Sequence, residues 1–322
     1  MGFNDQSPRG DSASYVNTLT MWLPRADGAI MHLAPPWTAL LAGANPESMV
    51  VNDLAWKIGL YRSRQFKVWI TIDVTDGLNR AAEAPELIAA GKSIADPGVQ
   101  LLYRRYVVVL DSILRPDYLG LAAETNLIRL AAPANVYGAV VTMTNAAAAD
   151  IQAIDPSRPL YVSLQVDAAW GRLGGGTTYI GVDQDFADFP FMTAIGLSSY
   201  PYLAGFADPA DVPDDYYSRL GTGHSLPMMV VEGGWSSASV TGVTSDPAKQ
   251  ARYITRQQTL LQNAHAIGVF QLEFADIDTT GLHLPPNSIL PLFITLGLVD
   301  SNLQPKPALA AYDSAFALPL QQ

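Results

Sequence analysis

The sequence lacks cysteine altogether and contains only four histidines in 322 residues. A chain without thiols cannot form a disulfide scaffold, a cysteine-ligated zinc site or a cysteine nucleophile. The four histidines are scattered and lack the spacing of metal ligands, which argues against a histidine-rich metal centre.

Positive charge and long apolar runs are also scarce. The chain has 19 Lys and Arg against 30 Asp and Glu, a formal net charge of −11, so it lacks the basic footprint that nucleic-acid binding requires. Two uncharged stretches, 130–149 and 281–299, contain proline and polar residues and do not resemble the apolar run of a spanning helix. We therefore predict no nucleic-acid partner and no membrane span.

What is present is a well-packed globular composition, 49% hydrophobic and 15% charged, in which short apolar runs alternate with helical patterns. The predicted strands cover Met1–Asn4, Ala29–Leu33, Phe66–Val74, Tyr118–Ala123, Leu160–Val166, part of Phe191–Tyr200, Met228–Val231 and Gly268–Phe274. The predicted helices cover 11–23, 51–64, a segment from Pro97 onward, 133–153, 247–266 and 307–316. Parallel strands need such crossovers. The sequence therefore predicts an α/β fold, one (β/α)₈ TIM barrel domain over residues 1–322.

Polar residues follow most of the predicted strands at their C-terminal ends, where TIM barrels carry their active sites. These residues are Asp73, Glu124, Gln165, Asp167, Tyr200, Glu232 and Glu273. Strands four and seven of a barrel lie on roughly opposite sides of its mouth, so Glu124 and Glu232 would face each other there. Two facing carboxylates are the arrangement used in glycoside hydrolysis.

Four segments that carry these residues resemble the clan A glycoside hydrolases, which are retaining enzymes on a (β/α)₈ barrel. The matching segments are RPDYLGLAAETN (115–126), IGLSSYPY (195–202), PMMVVEGGWSS (227–237) and GLVDSNLQPKPAL (297–309). The resemblance implies that Glu124 is the general acid/base and Glu232 the nucleophile, without a metal ion or organic cofactor. It also implies that burial and a nearby negative charge raise the pKa of Glu124, and that Tyr200 hydrogen-bonds Glu232.

The sequence departs from the clan at one position. The clan has Asn directly before the acid/base, where it contacts the substrate 2-hydroxyl, but this chain has Ala123. Asn126 would substitute for it if residues 124–126 were extended, because side chains two apart then point to the same side.

Further residues are substrate-binding candidates because they lie at or after the ends of predicted strands. Trp37 and Trp235 would be either sugar-stacking platforms or core residues. Asp73, Gln165 and Glu273 would either bind sugar or hold the structure, and His32 would either hydrogen-bond a sugar or be a satisfied buried histidine.

The sequence thus predicts a retaining glycoside hydrolase that cleaves a β-linked neutral polysaccharide or oligosaccharide. The alternatives are a catalytically weak barrel that binds carbohydrate, motivated by Ala123, and a barrel lyase or aldolase that uses lysine or a metal. Polymers are usually degraded outside the cytoplasm, so we expect a secreted or cell-surface monomer whose signal segment is not within these residues.

Overall fold

The computed structural model describes residues 1–240, 242–284 and 288–318. Residues 285–287, part of the second uncharged stretch, lie outside these ranges. The strands of the main sheet are β1 (Gly2–Asn4), β2 (Gly28–Leu33), β3 (Lys67–Ile72), β4 (Tyr118–Gly120), β5 (Leu160–Tyr161 and Ser163–Gln165), β6 (Ile195–Ser199), β7 (Met228–Gly233) and β8 (Gly268–Gln271).

The α-helices surround these strands in sequence. They are α1 (Ser12–Trp22), α2 (Trp37–Leu41), α3 (Pro46–Asp53), α4 (Ala55–Ser63), α5 (Pro85–Ala89), α6 (Pro97–Leu114), α7 (Thr125–Ala131), α8 (Ala134–Ile154), α9 (Val166–Ala169), α10 (Asp183–Asp188), α11 (Pro247–Asn263) and α12 (Pro307–Phe316). The local sequence sets the N-terminal end of α11. The Asp246 side chain accepts the Lys249 N–H and Pro247 opens α11, as capping preferences predict. Among the described residues, no helix is both long and apolar enough to cross a membrane.

The sheet has a cyclic strand order. Reading across it, the first piece of β5 is followed by β4, β3, β2, β1, β8, β7, β6 and then the second piece of β5. The two pieces of β5 are separated only by Val162, so both ends of the order belong to one stretch of chain. The pairs β1–β8, β7–β8, β3–β4 and β4–β5 are parallel. The predicted (β/α)₈ strand arrangement is therefore confirmed.

The sequence prediction missed several local features. Two helices, α3 and α4, replace the single helix predicted over 51–64. β4 ends at Gly120, three residues before the predicted end. The prediction also lacked the antiparallel hairpin of Thr75–Asp76 with Asn79–Glu83 that follows β3. The Asp76-Gly77 pair is a common hairpin-turn signal. Helix α7 begins directly after Glu124, where the prediction had no helix.

The described chain divides into two compact units. Unit 1 comprises Met1–Ala29, Val166–Ile180 and Leu197–Gln322, and unit 2 comprises Ile30–Gln165 and Gly181–Gly196. One domain over residues 1–322 stays a prediction.

Each unit has its own apolar core. In unit 1 the Phe3 ring packs between the rings of Trp22, Phe274 and Tyr312, at centroid distances of 4.7–5.9 Å. In unit 2 the buried Tyr161 hydroxyl bonds Thr71 Oγ1 at 2.7 Å. A Cβ on Gly120 would lie 2.6 Å from the Tyr161 ring, so this ring requires glycine at that position.

Candidate active site

The candidate residues lie at or just beyond the C-terminal ends of their strands. Asp73 directly follows β3, Tyr200 follows β6, and Glu232 lies within the last two residues of β7. Glu124 follows β4 after three residues, at the start of α7. The active sites of TIM barrels are built at these strand ends.

In unit 2, Glu124 has an unusual backbone. Its φ of 48° and ψ of 47° are left-handed, and it is the residue that precedes α7. A non-glycine residue in this region costs roughly 1–2 kcal/mol. The backbone N–H of Glu124 donates to Ser163 Oγ at 2.8 Å, which fixes this turn against β5. Strained backbone that is held in place in this way is common at functional sites.

The Glu124 carboxylate is paired with Arg80, which the hairpin after β3 supplies. Arg80 Nε donates to Glu124 Oε2 at 2.9 Å, and a terminal nitrogen of Arg80 donates to Asp73 Oδ1 at 2.5 Å. The Arg80 and Glu124 side chains are 7% and 9% exposed. Burial lowers the pKa of Arg80, but the charges of Asp73 and Glu124 outweigh it and the net shift is upward. Arg80 therefore joins Asp73 and Glu124 in one buried network.

This ion pair bears on the chemistry expected of Glu124. The resemblance to the clan implies burial and a nearby negative charge at Glu124, both of which favour the protonated acid. The structure adds a guanidinium at hydrogen-bond distance, and a nearby positive charge favours the ionised carboxylate. Glu124 is therefore arranged here as a carboxylate that can accept protons.

The proposed extended geometry around Asn126 is wrong. Asn126 lies in α7 and is 1% exposed. Its Nδ2 donates to the Gln165 carbonyl at 2.8 Å, and its Oδ1 accepts the Gln165 N–H at 2.7 Å. Because the amide is engaged at both ends with the β5 backbone, Asn126 ties α7 to β5 instead of replacing the missing asparagine of the clan. Gln165 itself is 3% exposed.

In unit 1, Glu232 is held by Tyr200. The Tyr200 hydroxyl donates a short hydrogen bond to Glu232 Oε1, so the hydrogen bond predicted from the sequence is present. The Tyr200 ring is 3% exposed and packs edge-on against Phe293, with centroids 5.0 Å apart. A phenol in this position orients a carboxylate and stabilises its ionised form.

Gly233, directly after Glu232, allows the end of β7 to approach β6. Its φ is 153°, and a Cβ built there would lie 2.4 Å from the Ser199 carbonyl oxygen. The next N–H, of Gly234, donates to that same oxygen at 3.2 Å. The first glycine of the EGG sequence is therefore required by packing next to Glu232.

Neither candidate tryptophan offers an exposed ring face, which corrects the stacking role considered for them. Trp37 is 1% exposed and lies 6.4 Å from the Tyr103 ring, centroid to centroid. Trp235 is also 1% exposed, lies 5.4 Å from the Tyr253 ring, and donates from Nε1 to Ser245 Oγ at 3.0 Å. Both indoles are core residues of their units.

Glu273 belongs to a second charged cluster of unit 1. It is 2% exposed, and its Oε2 has no hydrogen-bond partner among the described residues. Burial, and then the charge of Asp276, raise the pKa of Glu273 well above its usual value. Lys306 donates to Asp276, to Ser237 Oγ and to the Gly297 carbonyl. Since three acceptors occupy the three ammonium protons of Lys306, this lysine does not supply the free amine of a Schiff-base lyase.

The remaining candidate, His32, lies near the end of β2 and is partly buried. The structure thus brings Asp73 together with Glu124, Tyr200 with Glu232, and Asn126 with Gln165. Sequence reasoning missed Arg80, Ser163 and Lys306. Arg80 follows the Asp76-Gly77 turn signal, and recognition of that hairpin would have placed an arginine beside the end of β3.

Solved structures with known activities share this fold over nearly the whole chain. The exo-β-1,4-mannosidase Op5Man5 from Opitutaceae bacterium strain TAV5 matches with a TM-score of 0.70 and 15% identity, over 98% of this chain and 58% of its own. The β-D-glucuronidase of Dictyoglomus thermophilum matches with a TM-score of 0.62 and 13% identity, over 99% and 50%. A β-glucuronidase from Ruminococcus gnavus, in complex with D-glucuronic acid, matches with a TM-score of 0.60 and 13% identity, over 98% and 48%.

These matches concern the fold. The chain spans about half the length of these solved structures. No protein-family model and no curated protein sequence matches it. The resemblance to the clan A glycoside hydrolases that the sequence motifs predict is confirmed at the level of the TIM-barrel fold, without assignment to a subfamily.

Proposed function

We propose that this protein is a retaining β-glycosidase with Glu232 as the nucleophile and Glu124 as the general acid/base. The observation that carries the proposal is the hydrogen bond from Tyr200 to Glu232 Oε1 at the end of β7. It leaves Glu232 an oriented carboxylate, which is what attack on an anomeric carbon requires. The glycosidase fold and the matching motifs around both glutamates add support.

The reaction has two steps. In the first, a carboxylate oxygen of Glu232 forms a bond to the anomeric carbon while the glycosidic C–O bond breaks, and protonated Glu124 gives its proton to the leaving oxygen. In the second, Glu124 removes a proton from water as the water oxygen bonds to the anomeric carbon and Glu232 departs. The second step needs ionised Glu124, the form that Arg80 favours. For the first step, substrate binding must weaken the pair with Arg80.

We propose β-linked neutral saccharides as the substrate class, because the protein carries a formal charge of −11 that disfavours polyanions. Similar solved structures include β-glucuronidases and a β-mannosidase, so aryl β-glycosides of both kinds belong in a substrate panel. We further propose that the protein acts on polysaccharide outside the cytoplasm, as a monomer that binds no nucleic acid. Size-exclusion chromatography with light scattering measures the molar mass in solution and so tests whether the protein is a monomer.

A second candidate function is a barrel that binds carbohydrate but cleaves it poorly. Two observations favour it: Ala123 stands where the clan has asparagine, and the Asn126 amide is occupied by the Gln165 backbone. Binding of oligosaccharides in isothermal titration calorimetry, without their hydrolysis by the wild-type protein, would support this candidate.

Azide rescue tests the two roles separately. Hydrolysis of an activated aryl β-glycoside is measured for Glu124→Ala and Glu232→Ala with and without sodium azide. We expect a β-glycosyl azide from Glu124→Ala, because azide attacks the covalent intermediate without needing a base. We expect an α-glycosyl azide from Glu232→Ala, because azide replaces the nucleophile. The proposal would be contradicted if both variants were as active as the wild-type protein.

A further inference from the structure

Asp167 is a wholly buried acid that the proposed reaction does not use. It lies in α9, directly after β5, and is 0% exposed. One carboxylate oxygen, Oδ2, accepts the backbone N–H of Tyr200 at 3.0 Å, and the other, Oδ1, accepts a short hydrogen bond from the Tyr216 hydroxyl. An ionised carboxylate is costly to bury unless such donors converge on it.

The contact with Tyr200 is made at the backbone nitrogen, which is bonded directly to the Cα atom that carries its side chain. The same residue donates through its hydroxyl to Glu232. Tyr200 has φ −132° and ψ 69°, outside the regular strand and helix regions. Its carbonyl accepts the Leu203 N–H at 2.8 Å, and the Asp167 carboxylate accepts its N–H as the chain leaves β6.

Asp167 is itself firmly anchored within unit 1. Tyr216 stacks on the Trp170 ring at a centroid distance of 5.7 Å, and Trp170 Nε1 donates to the Tyr216 carbonyl at 2.9 Å. Burial, and then the charge of Asp167, raise the pKa of Tyr216 well above its usual value. A raised pKa keeps the Tyr216 hydroxyl protonated around neutral pH, so that it remains a donor to Asp167 there.

We infer that Asp167 is a positioning residue that fixes Tyr200, and through it the orientation of the Glu232 carboxylate. This inference rests on the proposed function for its kinetic consequences, but its structural part does not. Asparagine would keep the volume but carry no charge and only one acceptor oxygen, so it cannot accept the Tyr200 N–H and the Tyr216 O–H on two separate oxygens as the carboxylate does. Asp167→Asn is therefore the informative change.

The first test is a double-mutant cycle on an aryl β-glycoside with Asp167→Asn, Tyr200→Phe and the double variant. If Asp167 acts through Tyr200, Asp167→Asn lowers kcat at least about 10-fold while KM changes about 2-fold or less. In the Tyr200→Phe background the same change then costs about 2-fold or less. Full additivity of the two changes would overturn the inference.

The matched control is Asp111→Asn. Asp111 is a buried carboxylate, 3% exposed, that pairs with Arg158 in unit 2. Its replacement removes a buried charge in the same way, and we expect it to lower the melting temperature while its effect on kcat adds to that of Tyr200→Phe. Coupling of Asp111 to Tyr200 as strong as that of Asp167 would mean that the cycle reports general destabilisation, and would overturn the inference.

A second test does not need activity. Amide hydrogen exchange of Tyr200 is measured in the wild-type protein, Asp167→Ala and Asp111→Ala, because alanine has no side-chain oxygen that could accept the Tyr200 N–H. Loss of the acceptor should speed exchange at Tyr200 about 10-fold or more in Asp167→Ala and not in Asp111→Ala. Unchanged exchange would overturn the inference. Faster exchange in a protein that cleaves no glycoside would uphold the positioning role and reject the proposed function.

Discussion

Arg80 Nε lies 2.9 Å from Glu124 Oε2, and less than a tenth of each of the two side chains is exposed to solvent. The acid/base candidate of the proposed glycosidase is therefore paired with a buried cation that comes from the hairpin after β3. Such a pairing stabilises the charged carboxylate and opposes the protonated form that the first chemical step needs.

We predict that Arg80→Gln extends activity to higher pH. The alkaline limb of a pH profile of kcat/KM reports the group that must be protonated in the free enzyme. Without the guanidinium, Glu124 holds its proton more strongly, so the alkaline limb should move up by about 1 pH unit or more. The control is Arg104→Gln, which breaks the exposed pair with Asp150 and should leave the limb in place. If the alkaline limbs of the kcat/KM profiles of Arg80→Gln and the wild-type protein coincide, the role given to the Arg80–Glu124 pair is contradicted.

A second prediction concerns the pH dependence of stability. Burial and Asp276 raise the pKa of Glu273, so between the ordinary value and the raised one the folded state binds a proton that the unfolded state lacks. Stability contributed by this group is present below the unfolded pKa and is lost as pH rises toward the folded one, with a limiting slope of about 1.4 kcal/mol per pH unit. Urea unfolding of wild type and Glu273→Gln at pH 5 to 8 measures the difference.

We expect Glu273→Gln to gain stability relative to wild type as pH rises, because a neutral amide has no proton to lose. Glu86→Gln, at an exposed position of α5, is the control and should follow the wild-type pH dependence. A constant difference between Glu273→Gln and wild type over this range would show that Glu273 is ionised in the folded state.

The two glycines after Glu232 should differ sharply in their tolerance of a side chain. Gly233→Ala places a Cβ about 2.4 Å from the Ser199 carbonyl oxygen, a contact that requires backbone movement. Gly234→Ala meets nothing nearer than 3.5 Å. We expect Gly233→Ala to cost about 2 kcal/mol or more and Gly234→Ala about 1 kcal/mol or less in urea unfolding. Equal effects would contradict the close approach of β7 to β6.

A fourth prediction separates structure from substrate binding at Asn126. Asn126→Ala removes the two hydrogen bonds that its amide makes with the N–H and the carbonyl of Gln165, at a cost of about 2–4 kcal/mol in unfolding free energy. Any loss of kcat/KM should be the same factor for an aryl β-glycoside and its 2-deoxy analogue. A loss confined to the 2-hydroxylated substrate would instead restore the role first considered for this residue.

Sequence periodicity and strand-end chemistry predicted much of the architecture. The long helices α6, α8, α11 and α12 were predicted nearly at their observed bounds, because their caps and 3.6-residue patterns are strong local signals. The Tyr200 to Glu232 hydrogen bond followed from placing both residues at strand ends.

The features that sequence reasoning missed depend on contacts distant along the chain. The Arg80 pairing requires a hairpin to fold toward the residue that follows β4. The fate of Asn126 depends on a left-handed turn at Glu124, which begins a helix where an extended segment was expected. Whether Trp37 and Trp235 are exposed depends on the side chains packed around them, and alternation along a strand does not report that.

Covalent trapping tests the central claim most directly. The protein is incubated with a cyclophellitol-type aziridine whose sugar configuration matches the best substrate of the aryl-glycoside panel, digested with trypsin and analysed by mass spectrometry. No thiol competes for the electrophile, since the chain has no cysteine. The account predicts one label, on the peptide 220–249, with fragment ions that place it on Glu232, the only glutamate of that peptide. A label on Glu124 within peptide 106–129, or an active enzyme that carries no label and releases the inverted anomer first, would contradict it.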